Sequence, residues 1–229
     1  MLTRLRHFLL IKFSLGRDPA RRIISFWKKG GPDFGYFASA EDPRWLENFW
    51  QKGGLFRELF SRLDLSATLE IACGAGRHSW QVHEQFGQLY LLDSSEGALD
   101  LARKRFAGMA QVIFLHHPSG TGLPEAIPDR SLTAVFSYDA MVHFEKDTVR
   151  SYLLASSRVL RSGGQCLLHY SNYQSNPDGV FSDNPGWRNY MTPELFLRYV
   201  NEAGLILVET HLIDFSAPAS DALSLLRKP

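Results

Sequence analysis

Apolar residues in this chain gather in short runs separated by polar or helically spaced segments. Runs at 67–72, 88–93, 110–115, 132–137, 164–170, 205–213 and 222–227 have the length and character of buried strands. Between them, segments near 77–86, 96–107, 147–161 and 192–203 repeat apolar positions at helical spacing. Ahead of the first strand, Asp42-Pro43 reads as a cap followed by proline in the first helical turn. Leu46, Phe49, Trp50, Leu55, Phe56, Leu59, Phe60 and Leu63 then supply one apolar face, which predicts a single helix from Asp42 to near Asp64 despite Gly53-Gly54. Alternating strand and helix predicts an α/β domain with a mostly parallel seven-stranded sheet covered on both faces and ligands at the carboxyl ends of its strands. Residues 216–221, between the last two runs, are too few for a helical crossover, so the last strand should run antiparallel.

Residues 67–79 carry the most chemistry. A short apolar run holding Glu70 breaks into Gly74-Ala75-Gly76 and then into a helical segment. Glycine at 74 and 76 permits a tight turn in which a ligand lies against bare main chain, with the N–H groups of the next helix start aimed at it. Nineteen residues past Gly74 the next run ends on Asp93. That is the separation at which a nucleotide-binding fold presents an acid to ribose hydroxyls, although Ser79 stands where a dinucleotide fingerprint has its third glycine.

With Glu70-Ile-Ala72-Cys-Gly74-Ala-Gly76 in view, the chain resembles the class I S-adenosylmethionine-dependent methyltransferases, whose first motif reads acid-x-Gly-x-Gly-x-Gly. Ala72 replaces the first glycine. Residues 126–144 resemble the fourth-strand segment of that family, Arg158-Val-Leu-Arg-Ser-Gly-Gly164 its helix-to-fifth-strand turn, and Thr192 through Glu209 its last helix and sixth strand. The resemblance covers about residues 45–229 and implies a Rossmann-like three-layer sandwich. It also implies S-adenosyl-L-methionine as cofactor and S-adenosyl-L-homocysteine as product. Glu70 would face the methionine end and Asp93 the ribose, with Cys73, Gly74, Gly76, Arg77, Ser94, Ser119 and Ser137 also at the cofactor. Two positions depart from the pattern. After the third strand stands His116-His-Pro-Ser119 in place of an adenine-reading acid, and Thr133 stands where the fourth strand usually has aspartate, a structural change near the strand start.

Composition alters this picture only at the front end. The 229 residues suit one α/β domain, residues 42–229, with an N-terminal extension, residues 1–41. Net charge is +1. Residues 1–30, however, hold Arg4, Arg6, Lys12, Arg17, Arg21, Arg22, Lys28 and Lys29 against Asp18 alone, leaving the remainder net negative. This basic arm is expected to pack as a helical extension over the cleft, with peripheral contact to an anionic membrane surface or to an acidic substrate as the alternatives. Its apolar stretch is far short of the ~20 residues that span a bilayer, so no transmembrane segment is expected. Cys73 and Cys166 lack the spacings of zinc sites or disulfide frameworks, which points to free thiols in the cytoplasm and no metal. Nucleic acid is disfavoured as a partner by the negative remainder.

Histidine is the natural base near neutral pH. His143, just past the fourth strand, and His169 or Tyr170, at the end of the fifth, are the candidate catalytic groups. The long segment 171–190 and the aromatic residues of the arm form a candidate lid, with Tyr36, Asp139, Trp187 and Tyr190 as candidate acceptor contacts. The expected function is methyl transfer to a small-molecule acceptor, oxygen slightly ahead of nitrogen. A nicotinamide-dependent oxidoreductase and an inactive cofactor-binding partner subunit are the alternatives.

Overall fold

The structure, a computed structural model, describes residues 42–180, 183, 188–215 and 217–229. The basic arm and its part of the candidate lid, residues 1–41, lie outside that range. Seven strands are described: β1 (Ala67–Ile71), β2 (Gln88–Asp93), β3 (Val112–His116), β4 (Leu132–Ser137), β5 (Leu160–Ser171), β6 (Ile206–Ile213) and β7 (Asp221–Arg227). They form one sheet in the order β3-β2-β1-β4-β5-β7-β6, in which β7 pairs antiparallel with both neighbours and every other pairing is parallel. The antiparallel last strand follows from the short 214–220 connection, as expected.

The described helices are α1 (Pro43–Trp50), α2 (Leu55–Phe60), α3 (Arg77–Trp80), α4 (Glu96–Arg105), α5 (Lys146–Val159) and α6 (Pro193–Glu202). Side-chain oxygens of Asp42, Ser95 and Thr192 cap α1, α4 and α6 by accepting backbone N–H groups of their first turns. None is long and apolar enough to cross a membrane.

Three expectations about element bounds are corrected. The single helix over 42–64 divides into α1 and α2, because Gly53 takes a left-handed conformation (φ 79°) and the Gly54 N–H closes a turn onto the Gln51 carbonyl. The helix over 77–86 stops after one turn. His83 Nδ1 binds the Trp80 carbonyl at 2.7 Å, taking the acceptor that the next helical N–H would need, and its ring stacks on Trp80 at 4.1 Å. The fifth strand starts at Leu160 rather than 164. Gly163 N–H donates to the Lys228 carbonyl and Lys228 N–H to the Gly164 carbonyl, so the Arg161–Gly164 turn is laced to the end of β7.

The chain reverses its winding between β1 and β4, and this separates two cores. One face carries α5 and α6 over Leu69, Ile71, Val135, Cys166, Leu168 and Tyr170. The other carries α1, α2 and α4 over Leu89, Leu91, Ala134, Phe136 and Leu167. All six residues of β4 are buried, as a central strand covered on both faces requires. Thr133 has a structural part here: its hydroxyl donates to the Asp64 carbonyl (2.5 Å) and accepts the Ala67 N–H (3.0 Å), joining the starts of β4 and β1.

Tyr170 belongs to the α5–α6 core. Its ring lies 3.7 Å from that of Phe196, stacked at 7°, and its hydroxyl meets Ser224 Oγ at 3.1 Å. Tyr170→Ala is expected to cost about 3–5 kcal/mol by opening a ring-sized cavity. Tyr170→Phe, which keeps the ring and leaves Ser224 bonded to Thr210, should cost no more than about 1 kcal/mol in urea unfolding. Equal losses for the two variants would contradict this placement.

Candidate functional site

The carboxyl ends of β1 and β2 lie side by side, Ile71 opposite Leu92. The turn after β1 holds Ala72, Gly74 and Gly76 at φ 55°, 55° and 74°. All three alternate positions are therefore left-handed, which explains why the motif asks for glycine at each and why Ala72 is strained by roughly 1–2 kcal/mol. The turn is closed by Cys73 N–H to the Leu92 carbonyl (3.0 Å) and Gly76 N–H to the Cys73 carbonyl (2.8 Å). Gly76 also has no room for a side chain, since a Cβ there would stand 2.6 Å from Phe106 Cε2.

Two carboxylates flank this turn. Asp93, at the end of β2, accepts the Gly74 N–H at Oδ2 and the Ser95 N–H at Oδ1, both at 2.8 Å. Glu70, near the end of β1, is 1% exposed and accepts the Ser79 hydroxyl. Burial pushes the Glu70 carboxyl up to about 7 against the opposing bonds from Ser79, with the charge of Asp93 adding to the rise. Burial also raises Asp93, against the N–H groups it accepts. Two buried acids beside bare main chain match a cationic, hydroxyl-bearing ligand, whose positive charge would offset the burial that raises them. The Cys73 thiol is pushed far up by burial, which removes it as a nucleophile.

The remaining expected cofactor residues divide. Ser94 stands beside Asp93, its carbonyl 3.2 Å from His116 Nε2. Ser119 is exposed and folded back onto its own loop, with its hydroxyl 2.7 Å from His117 Nε2. Ser137 does not line an open surface: it is fully buried, and its hydroxyl donates to the Ile71 carbonyl at 3.0 Å, pinning the end of β4 to that of β1. Arg77 forms an ion pair with Asp139 at 2.6 Å and lies over the Phe49 ring.

Past β4 the structure joins residues that the sequence left separate. The Asp139 N–H donates to His169 Nδ1 (3.0 Å), and His169 Nε2 meets Asp221 Oδ2 (3.0 Å). Arg188 donates through Nε to Asp221 Oδ1 (2.7 Å) and through Nη2 to Oδ2. Burial alone would raise the Asp221 carboxyl, but hydrogen bonds from Arg188 and His169 outweigh it and hold it at about 2. Because both His169 nitrogens are engaged and the ring is fully buried, the geometry corrects its reading as a base. Tyr170 faces the opposite core and is likewise corrected.

His143 lies on a 3-10 turn, Met141–His143, whose last carbonyl accepts Asn189 Nδ2 at 2.6 Å. Tyr190 lines a surface cavity with Lys146, Pro177, Glu194 and Arg198. Tyr36 and Trp187 lie outside the described residues.

Sequence reasoning missed Asp221, whose signal is an acid opening an otherwise apolar strand. It also missed the use of His78. Trp50 Nε1–H donates to His78 Nδ1 (3.1 Å), and burial pushes this histidine far below its ordinary range inside a cage of Phe49, Phe56 and Tyr138. Among the described residues no group of three His, Cys, Asp or Glu side chains is placed to hold a metal ion.

Opposite signs are expected for the same exchange at two left-handed positions. Gly76→Ala should destabilise by about 1–3 kcal/mol through overpacking against Phe106, whereas Ala72→Gly should stabilise by up to ~1 kcal/mol. Calorimetry on both variants checks this. A raised native value for Glu70 means that its contribution is full below pH 4.5 and is lost as pH rises through about 7. Relative to Glu70→Gln, the ligand-free protein should therefore lose roughly 3 kcal/mol between those limits. Parallel stability–pH curves for the two proteins would contradict the burial of this acid.

A family profile described as a methyltransferase domain matches residues 68–164, from β1 into the start of β5. No curated protein sequence gives a significant match. Among solved structures, an S-adenosylmethionine-dependent methyltransferase from Mesorhizobium loti superposes with a TM-score of 0.62 at 15% identity, covering 76% of this chain and 97% of that one. A Bacillus halodurans protein described as a candidate methyltransferase gives 0.59 at 18%, covering 76% and 98%. A geranyl diphosphate methyltransferase in complex with GPP and sinefungin gives 0.60 at 14%, covering 76% and 77%. Identities this low carry the fold, and the profile match carries the domain type. With the left-handed glycine turn, its two flanking acids and this sheet order, residues 68–164 match a methyltransferase domain, and the chain has the fold of the S-adenosylmethionine-dependent methyltransferases it superposes on.

Proposed function

We propose that this protein binds S-adenosylmethionine at the turn between β1 and β2 and directs its methyl group to a small-molecule acceptor, oxygen ahead of nitrogen. The observation that carries the reading is the pair of acids, Glu70 and Asp93, both raised by burial, on either side of a turn with three left-handed residues. The cofactor supplies an electrophilic methyl group on a cationic sulfur. Asp93 offers its two oxygens to ribose hydroxyls, while Glu70 shapes the turn from below through Ser79 and adds negative potential at the methionine end. The protein's main task in such a reaction is to hold acceptor and methyl group close and aligned, which can contribute about 7–11 kcal/mol. A hydroxyl acceptor must also lose a proton, and His143, on the turn that follows β4, is the group we assign to receive it.

The sinefungin-bound neighbour, whose name gives it a small-molecule substrate, supports this choice of cofactor and acceptor class. A cytoplasmic location is part of the proposal, supported by two buried free thiols, Cys73 and Cys166.

Thermal shifts separate this reading from its rivals. At a hundredfold excess over Kd, S-adenosylhomocysteine should add about 2.7 kcal/mol, raising Tm by roughly 5–10 °C for a chain of this size. Stabilisation by nicotinamide dinucleotides with none by S-adenosylhomocysteine or S-adenosylmethionine would overturn it. Label transfer from the cofactor to a panel of extracted metabolites tests activity directly, and binding without transfer to any of them would favour an inactive cofactor-binding subunit.

A further inference from the structure

Asp139 is a non-glycine residue held at φ 55°, a conformation that needs support from its surroundings. Two contacts fix it. Its carboxylate takes Arg77 Nη2 at 2.6 Å, and its backbone N–H donates to His169 Nδ1 at 3.0 Å. A backbone N–H can only donate, so Nδ1 carries the lone pair, and the ring proton sits on Nε2, where it donates to Asp221 Oδ2. Arg188 binds both oxygens of that carboxylate, so Asp221 and Arg188 together form a buried pair without net charge behind the ring. Tyr138 stacks on His169 at 4.6 Å, which stops the ring from turning. Thus β7 orients the ring on β5, the ring orients the backbone after β4, and Asp139 reaches across to the helix that leaves the cofactor turn.

We propose that His169 is a positioning residue: by holding the Asp139 N–H it sets the Asp139 carboxylate against Arg77 and so shapes the mouth of the cofactor turn on its acceptor side. The inference rests on the proposed cofactor site. That mouth lies between β1 and β4, where the sheet reverses its winding and where ligands of this fold class settle. His169 acts there only through Asp139, since it is fully buried and both its nitrogens are occupied.

The test uses the full chain with S-adenosylhomocysteine as the probe, read by titration calorimetry. His169→Phe should weaken binding about tenfold, because the Asp139 N–H loses its acceptor and the Asp139–Arg77 pair its fixed place. His169→Gln, whose amide can both accept and donate, should restore binding to within about threefold of wild type. In an Asp139→Ala background His169→Phe should weaken binding no further, while its loss of thermal stability persists. A merely structural histidine would instead show multiplying effects on binding or none. Should His169→Phe fail to fold, nitrogen NMR of the wild-type protein decides. The expected result is a proton on Nε2 and a scalar coupling across the Asp139 N–H to Nδ1, and a proton on Nδ1 would overturn the inference. Absence of wild-type binding would overturn the proposed function and this inference with it. Wild-type binding that His169→Phe leaves untouched would overturn this inference alone.

Discussion

The hydrogen bond from the Gly74 N–H to Asp93 is the constraint on which the site depends, because it locks the turn of one strand onto the acid of the next. For that bond to form, the backbone after β1 must pass through left-handed space at Ala72, Gly74 and Gly76 within five residues. Such a path leaves little side-chain bulk on the turn, and bare main chain is what a flat nucleoside can approach. Burial then does the electrostatic work. Burial pushes both Glu70 and Asp93 upward despite the opposing charges of Arg77 and His116, and a ligand bearing positive charge would relieve both acids together.

A second set of contacts runs from the same turn toward the other half of the sheet. Arg77 leaves the turn and meets Asp139, and behind Asp139 stand His169, Asp221 and Arg188, contributed by β5, β7 and the segment before α6. The antiparallel β7 makes this possible, since its first residue, Asp221, lies at the carboxyl end of β5 opposite Ser171. A parallel strand in that place would have brought its last residue there instead. The topology and the polar network are therefore one feature, and the two halves of the sheet communicate through side chains at their shared upper edge.

Much of this was legible in the chain itself. Buried strands announce themselves as apolar runs because a strand covered on both faces has no polar face, which is why β2, β4 and β7 fall close to their expected bounds. Glu70, Gly74, Gly76 and Asp93 were legible for a different reason: their separation reflects one strand, one turn and one crossover, a short-range geometry. Helix bounds were harder. Gly53 could have continued a helix at modest cost, and only packing of α1 and α2 as separate pieces decides that it does not. The stop after Trp80 depends on a side chain, His83, capturing a carbonyl.

His169 was misread because its meaning lies in residues distant along the chain. A histidine at a strand end has the same appearance whether its nitrogens face an acceptor or are taken up, as here, by Asp139 and Asp221. Tyr170 and Ser137 were misplaced by a related limit, since alternation along a strand tells that neighbours point apart but not which one meets the ligand. The most direct test of the account is a crystal structure of the full chain with S-adenosylhomocysteine. We expect the ribose hydroxyls on the Asp93 carboxylate and the nucleoside against the main chain of Gly74–Gly76; the same ligand bound away from that turn, with Asp93 still closed on Gly74, would contradict the central claim.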